Sequence, residues 1–134
     1  MSTQSVSGKD KPTQEVIMID SSGNNAGVGT AASPTITQEK QASAATKANV
    51  ASSASSVTLA AANTSRKSII IANDSTAILY IDLSGGTASS SSYSVALPAA
   101  AGGIPSTLTV NNFTGLITGI WASANGNARV TEST

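Results

Sequence analysis

The chain contains no cysteine and no histidine among its 134 residues. Their absence excludes disulfide bonds, thiolate nucleophiles, the usual zinc sites and every catalytic arrangement that needs an imidazole base. Charged residues make up only 10%, with seven basic against seven acidic side chains, so no net field favours nucleic acid or an anionic membrane. Aromatic residues reach only 3%, too few for the stacking surfaces that bind single-stranded nucleic acid.

Several longer patterns are also missing from the sequence. No apolar run approaches the ~20 residues of a membrane span, and residues 1–14 lack the apolar centre of a signal peptide. There is no G-K-[ST] and no G-x-S-x-G segment. Gly27-Val28-Gly29 is followed too soon by Pro34 to begin the helix of a dinucleotide-binding turn. We therefore expect no enzyme and no cofactor, and a chain made in the cytoplasm.

The rest of the sequence is organised around Lys67–Leu83. Two apolar runs, Ile69–Ile71 and Ile78–Ile81, flank the polar segment Asn73–Thr76. β-branched and aromatic residues favour strands, whereas Asn, Asp and Ser favour turns. This pattern predicts two adjacent antiparallel strands joined by a short loop.

Short apolar segments separated by turns continue from Val57 to the end of the sequence. They predict further strands at Val57–Ala60, Tyr93–Leu97, Ile104–Val110, Leu116–Trp121 and Ala128–Thr131. Asn125-Gly126 between the last two predicts a two-residue hairpin turn, because both positions of that turn need positive φ. The predicted fold class is all-β, a small antiparallel β-sandwich or barrel over residues 55–134.

Individual roles also follow from this pattern. We expect four residues in the packed core, namely Ile70, Leu79, Tyr80 and Trp121. Asp74 is expected to be a solvated turn residue. Asp82 suits a polar position near a strand end, where it could form a surface pair with Arg66, Lys67 or Arg129.

Residues 1–54 are predicted to form an extended arm or linker, because their polar and alanine-rich sequence offers little to offset the entropy of ordering. A weak helix over residues 37–49 is an alternative on propensity alone. Residues 16–20 are predicted to form one short strand. Its apolar residues Val16, Ile17, Met18 and Ile19 are the candidate partner-binding residues, since such a segment can add to the edge of a neighbour's sheet.

Several motifs occur in a fixed order in the C-terminal half. They are an N-T-x-R turn, an isoleucine-rich strand followed by N-D-S and L-Y, an S-Y-x-V strand, and a closing G-I-W…G-x-A-R-V-T-E segment. The residues that carry them are Asn63, Thr64, Arg66, Asn73, Asp74, Ser75, Leu79, Tyr80, Ser92, Tyr93, Val95, Gly119, Ile120, Trp121, Gly126, Ala128, Arg129, Val130, Thr131 and Glu132. With this order, residues 57–132 resemble a domain of small structural proteins of tailed bacteriophages.

The resemblance implies a virion component, made in the host cytoplasm, rather than an enzyme. The favoured expectation is a capsid decoration protein that is anchored through its N-terminal arm. The alternatives are a neck, tail or baseplate component and, from another class, a carbohydrate-binding or host-recognition module. The expected partners are other virion proteins (the major capsid protein or neck and tail proteins) and further copies in a homo-oligomer, with no nucleic acid and no membrane.

Overall fold

A computed structural model describes residues 41–134, which form eight β-strands and no helix. The strands are β1 (Ala45–Ala51), β2 (Val57–Ala60), β3 (Ser68–Ser75), β4 (Leu79–Asp82), β5 (Val95–Leu97), β6 (Ser106–Asn111), β7 (Ile117–Trp121) and β8 (Gly126–Ser133). The predicted all-β class is confirmed for this part of the chain.

The strands form two four-stranded antiparallel sheets. Sheet 1 has the order β1-β8-β3-β6 and sheet 2 the order β2-β7-β4-β5. First pairs with last along the chain: β1 with β8, β2 with β7, β3 with β6 and β4 with β5. A long antiparallel ribbon that is folded over on itself gives this pairing, which is the jelly-roll topology.

The core lies between the sheets and follows the two-residue period of strands. Ile69 and Ile71 of β3 have no solvent exposure, and neither do Leu79 and Ile81 of β4. The other large contributors are Leu59, Leu97, Ile117, Trp121 and Val130. Side chains from both sheets therefore meet in one apolar layer.

Two of the four predicted core residues are on the opposite face. Leu79 and Trp121 are buried as expected, with 0% and 2% exposure. The prediction for Ile70 is wrong: it is 43% exposed, because its neighbours Ile69 and Ile71 take the inward positions of the pleat. Tyr80 is half-buried on the outer face for the same reason, between inward-facing Leu79 and Ile81.

Both predicted hairpins are wrong. β3 and β4 lie in different sheets, and so do β7 and β8. The polar segment after Ile71 continues β3 through Ser75 instead of forming a turn. Gly126, with φ +98°, begins β8 opposite Ser75, and an added Cβ would lie 2.6 Å from the carbonyl oxygen of Asp74. Glycine is thus needed there for close strand approach as well as for its backbone conformation.

The predicted boundary between arm and β-domain also needs correction. Residues 45–51, which were expected to be linker or weak helix, form β1 and pair along β8 from Ala45↔Ser133 to Ala51↔Asn127. All side chains of β1 except half-buried Val50 are exposed, so its sequence carries no apolar period. Main-chain hydrogen bonds along the edge of β8 hold this strand, and they leave no trace in side-chain patterning.

Candidate functional site

The candidate partner-binding residues Val16, Ile17, Met18 and Ile19 lie outside the described residues. In the described part of the chain, five polar motif residues form two clusters, each centred on a buried side chain: Asn63, Arg66 and Glu132 in one, and Asn73 and Ser75 in the other. The two outer sheet faces are the remaining candidate surfaces.

Arg66 is the centre of the first cluster and is 2% exposed. Its Nε donates to Oε1 of Glu132 at 2.6 Å. One terminal nitrogen donates to the carbonyl oxygens of Phe113 (3.1 Å) and Gly115 (2.8 Å), and the other to the carbonyl of Ala61. A buried guanidinium needs such partners on every side, so Arg66 ties the loop after β2 to the loop before β7 and to β8.

Asn63 completes the same cluster. Its Nδ2 donates to Oε1 of Glu132 at 2.9 Å, and its Oδ1 accepts the backbone N–H of Ser65 at 3.0 Å. Its carbonyl oxygen accepts the backbone N–H of Arg66 at 3.1 Å. Arg66 of the N-T-x-R motif lies 66 residues before Glu132 in the sequence. The motif and this glutamate nevertheless form one structural unit.

Asn73 is the centre of the second cluster and has no solvent exposure. Its Nδ2 donates to the carbonyl oxygens of Ala77 and Pro98, both at 2.8 Å. Its Oδ1 accepts the hydroxyl of Ser75 at 2.8 Å and Nε1–H of Trp121 at 3.1 Å. The tryptophan is therefore a core residue whose single donor is satisfied inside, and it is not available for ligand stacking.

Asp82 is the centre of the third cluster, and its partners are hydroxyls and backbone N–H groups rather than a cation. It accepts from the hydroxyl of Ser84 (2.7 Å), the backbone N–H groups of Ser84 and Gly86 (both 3.1 Å) and the hydroxyl of Ser94 (3.2 Å). These hydrogen bonds, led by that from the Ser84 hydroxyl, lower the pKa of Asp82. The carboxylate fixes both ends of the loop between β4 and β5.

The prediction that Asp74 is a solvated turn residue is wrong, because Asp74 belongs to a strand and forms an ion pair. Asp74 lies near the end of β3, and its Oδ2 accepts from Nε and Nη2 of Arg129 on β8 at 2.8 Å and 2.7 Å. Both side chains remain partly exposed, so the pair contributes about 0–1 kcal/mol. It lies on the outer face of sheet 1.

The outer faces of the two sheets differ in chemistry. Sheet 1 presents Lys47, Asp74 and Arg129 among polar side chains, as a solvated face does. A depression of about 320 Å³ lies there between β1 and β8, but Arg129, one of its two cations, is already paired with Asp74. Nothing in this depression indicates a built ligand site.

The outer face of sheet 2 carries no exposed charge in the part of the chain that the structure describes. One part of this face is apolar and consists of Ile78, Tyr80, Tyr93, Ala96 and Ile120, and we name this set the sheet 2 patch. The rest of the face is polar, with Thr58 and Thr118 beside Asp82 and Ser94. Tyr80 stands opposite Ala96 on one side and Ile120 on the other. The single acid of the sheet, Asp82, is 7% exposed.

An aromatic pair is the most prominent part of this patch. The rings of Tyr80 and Tyr93 have centroids 4.8 Å apart and an interplanar angle of 50°. Tyr93 is 45% exposed and Tyr80 is half-buried, so solvent reaches both rings. These are the chain's only two tyrosines.

The sequence carries no clear signal of the sheet 2 patch. Inward Leu79 and Ile81 alternate with outward Ile78 and Tyr80, and because both series are apolar, no two-residue period marks which side faces solvent. The one available signal is the absence of charge from residues 83–128.

Residues 41–134 contain three acidic side chains, Asp74, Asp82 and Glu132, and neither cysteine nor histidine. Across that range, no group of three or more acidic, cysteine or histidine side chains could hold a metal ion. The same residues include no helix that is long and apolar enough to cross a membrane. Every buried side-chain nitrogen and oxygen described has a hydrogen-bond partner, so no unpaired group points to a missing ligand.

Comparison of the chain with protein-family models, with curated proteins and with solved structures finds no match. The function must therefore be argued from the motifs, the clusters they form and the two outer faces.

Proposed function

We propose that this chain is a non-enzymatic structural protein of a tailed bacteriophage virion, and that it decorates the capsid. The observation that carries the proposal is the resemblance of residues 57–132 to small structural proteins of such phages. Its motif residues are the ones that hold the fold together: Asn63, Arg66 and Glu132 in one cluster, Asn73 and Trp121 in another. The resemblance thus concerns a whole folded unit and not one short surface segment.

The jelly-roll topology is compatible with this proposal as an analogy. Jelly rolls recur in viral capsid domains, but also in lectins and other proteins, so the topology alone does not determine function. What the topology adds is a compact body whose termini leave at one end: Ser43 and Ala44 donate to the carbonyl oxygen of Thr134. A segment that precedes β1 therefore starts beside the C-terminus, at an edge strand of sheet 1.

We assign attachment to the N-terminal arm in this proposal. Val16–Ile19 are the apolar residues of an otherwise polar segment, and a short extended segment can add to the edge of a partner's sheet through main-chain hydrogen bonds. The 25 residues between Ile19 and Ala45 can span up to about 80 Å when extended, which exceeds the width of a small domain. The arm is thus long enough to reach a neighbouring subunit of a shell.

Copy number per particle tests the proposal. Quantitative mass spectrometry of purified virions, calibrated on the major capsid protein, is expected to find roughly hundreds of copies. About six or twelve copies, the number that a cyclic ring supplies, would support the alternative of a neck, tail or baseplate component. Absence from washed particles would contradict both positions in the virion.

Carbohydrate recognition is the second candidate function, and the Tyr80–Tyr93 pair is the observation that favours it. An exposed aromatic ring can stack on a sugar. Sugar binding also needs polar groups beside the ring: the exposed serines Ser92 and Ser94 flank Tyr93, whereas Ala96 and Ile120 flank Tyr80. Glycan-array binding that is lost in Tyr93→Ser and kept in Ile70→Ser, a change of similar exposure on sheet 1, would establish this alternative.

A further inference from the structure

We propose that the sheet 2 patch is a self-association surface, which binds the same patch of a second copy of this chain. The inference concerns Ile78, Tyr80, Tyr93, Ala96 and Ile120. It names a surface for the homo-oligomer that the sequence predicts, and it does not require that the protein belongs to a virion.

Exposure marks the patch as unusual. Four large apolar side chains are highly exposed, namely Ile70 (43%), Ile78 (40%), Tyr93 (45%) and, in the loop after β5, Ile104 (73%). Ile78 and Tyr93 lie in the patch, beside half-buried Tyr80 and Ile120. A contiguous apolar group on one sheet face differs from single scattered residues such as Ile70, and such groups mark interaction sites.

Charge indicates what can cover the patch. Among the described residues, every charged side chain that reaches solvent lies on sheet 1 or at its ends: Lys47, Lys67, Asp74, Arg129 and Glu132. A partner that placed a charge against the sheet 2 patch would bury it without a counter-charge, which is costly. The occupant is therefore an uncharged apolar surface.

Symmetry then favours a second copy. In a two-fold pair the same residues face each other across the axis, so any charge near the axis meets its own copy. The outer face of sheet 1 carries Lys47, Asp74 and Arg129, so a symmetric contact through that face would bury charged side chains of both copies. The sheet 2 patch meets itself with no like charges, and the tyrosine rings can pack against Ile78 and Ile120 of the other copy.

The area of the face sets the strength of the contact. Four strands about 4.8 Å apart and about four residues long give a plane of about 19 Å by 14 Å, or about 270 Å² per copy. A stable interface buries about 800 Å² per partner. We therefore expect a weak dimer, with a dissociation constant on the order of 0.1–1 mM, that is populated where copies are concentrated.

A pair of matched isoleucine substitutions tests the surface in the full-length chain. Ile78 in the patch and Ile70 on sheet 1 have nearly equal exposure, 40% and 43%. Sedimentation equilibrium up to about 1 mM should show self-association of the wild type. Ile78→Thr should weaken it by about fivefold or more, and Ile70→Thr should leave it unchanged.

A second comparison places one lysine on the outer face of each sheet, at an exposed position where the change hardly alters the packing of the core. Ala96 on β5 and Thr109 on β6 are both exposed, on the outer faces of sheet 2 and sheet 1 respectively. Ala96→Lys should abolish association below about 1 mM, because the contact would bury a charge that has no counter-charge in the patch. Thr109→Lys should associate like the wild type. Thermal melting of both variants verifies that each is folded.

Tyrosine cross-linking reports on the patch directly. Because both tyrosines of the chain lie in it, photo-oxidation to dityrosine should give a covalent dimer band at high concentration, and Tyr93→Phe should remove most of it.

A wild type that stays monomeric to about 1 mM would overturn the inference. So would a dimer that Ile70→Thr or Thr109→Lys weakens as much as the patch variants. Binding of a glycan by the patch with no self-association would assign the surface to sugar instead. None of these results changes the copy number in virions, so the two proposals can fail separately.

Discussion

Among single residues, Arg66 has the most demanding environment. Its side chain has no solvent exposure and donates to four different oxygen acceptors, whereas the side chain of Arg129 is 60% exposed and pairs with one carboxylate. Lysine cannot reproduce the planar fork of arginine. Arg66→Lys should therefore cost about 2–4 kcal/mol in the free energy of unfolding, and Arg129→Lys less than about 1 kcal/mol. Urea denaturation measures both, and equal losses would contradict the role of the cluster.

Trp121 couples the core to the Asn73 cluster. Trp121→Ala should cost on the order of 3–5 kcal/mol, because it leaves a cavity and removes the donor to Oδ1 of Asn73. Thermal melting measures the loss. A variant that melts within a degree or two of the wild type would be incompatible with a buried ring.

Asp82 gives the domain a dependence on acid. Its pKa is lowered in the folded state, so its stabilising contribution is complete above the ordinary value of 3.8 and is lost as the pH falls through the lower, folded value. The melting temperature should therefore fall as the pH is lowered below about 5. Asp82→Asn should be less stable near neutral pH and show a shallower fall. An unchanged slope in that variant would assign the acid sensitivity to the other carboxylates.

The positions of the strands follow from the sequence more closely than the pairing of the strands does. The apolar segments located β2, β4 and β7 closely, because local composition determines whether a segment suits a pleated, half-buried surface. Short loops favour hairpins, yet six of the seven consecutive strand pairs cross between the sheets. At the end of β3, where the chain crosses to sheet 2, the inward side chain of Asn73 hydrogen-bonds the carbonyl oxygens of Ala77 and Pro98 and so holds the crossing segment. Such a long-range contact cannot be inferred from local turn chemistry.

β1 changes what a truncation of the arm should do. A chain that starts at residue 55 lacks β1 and leaves the edge of β8 unpaired along Gly126–Ser133. We expect residues 41–134 to fold into a stable β-domain and residues 55–134 to be less stable and prone to aggregate through the open edge. Circular dichroism melts of the two fragments compare them. Equal melting temperatures would mean that β1 contributes little.

For the whole molecule, the candidate site divides into a part that sequence could suggest and a part that it could not. The motif residues were visible as a pattern, and the structure gives most of the polar ones a role in holding loops and sheets together. The outer faces were not visible, because the assignment of Ile70 and Ile78 to opposite sheets depends on the topology. The candidate partner-binding segment, in contrast, is a prediction from sequence alone.

The arm hypothesis predicts that alternate side chains of Val16–Ile19 contact the partner, and variants incorporated into assembled particles can test this. If Val16–Ile19 adds to the edge of a partner's sheet, one side of the segment is buried and the other is not. The double variant Ile17→Asp with Ile19→Asp should incorporate into particles several-fold less than the wild type, because two charges would face the buried side. The matched variant Val16→Asp with Met18→Asp places the same charges on the opposite side and should incorporate more efficiently. Occupancy is measured by mass spectrometry on particles assembled with each variant. If both double variants incorporate normally, the arm is a tether, and the contact with the particle must involve the β-domain itself.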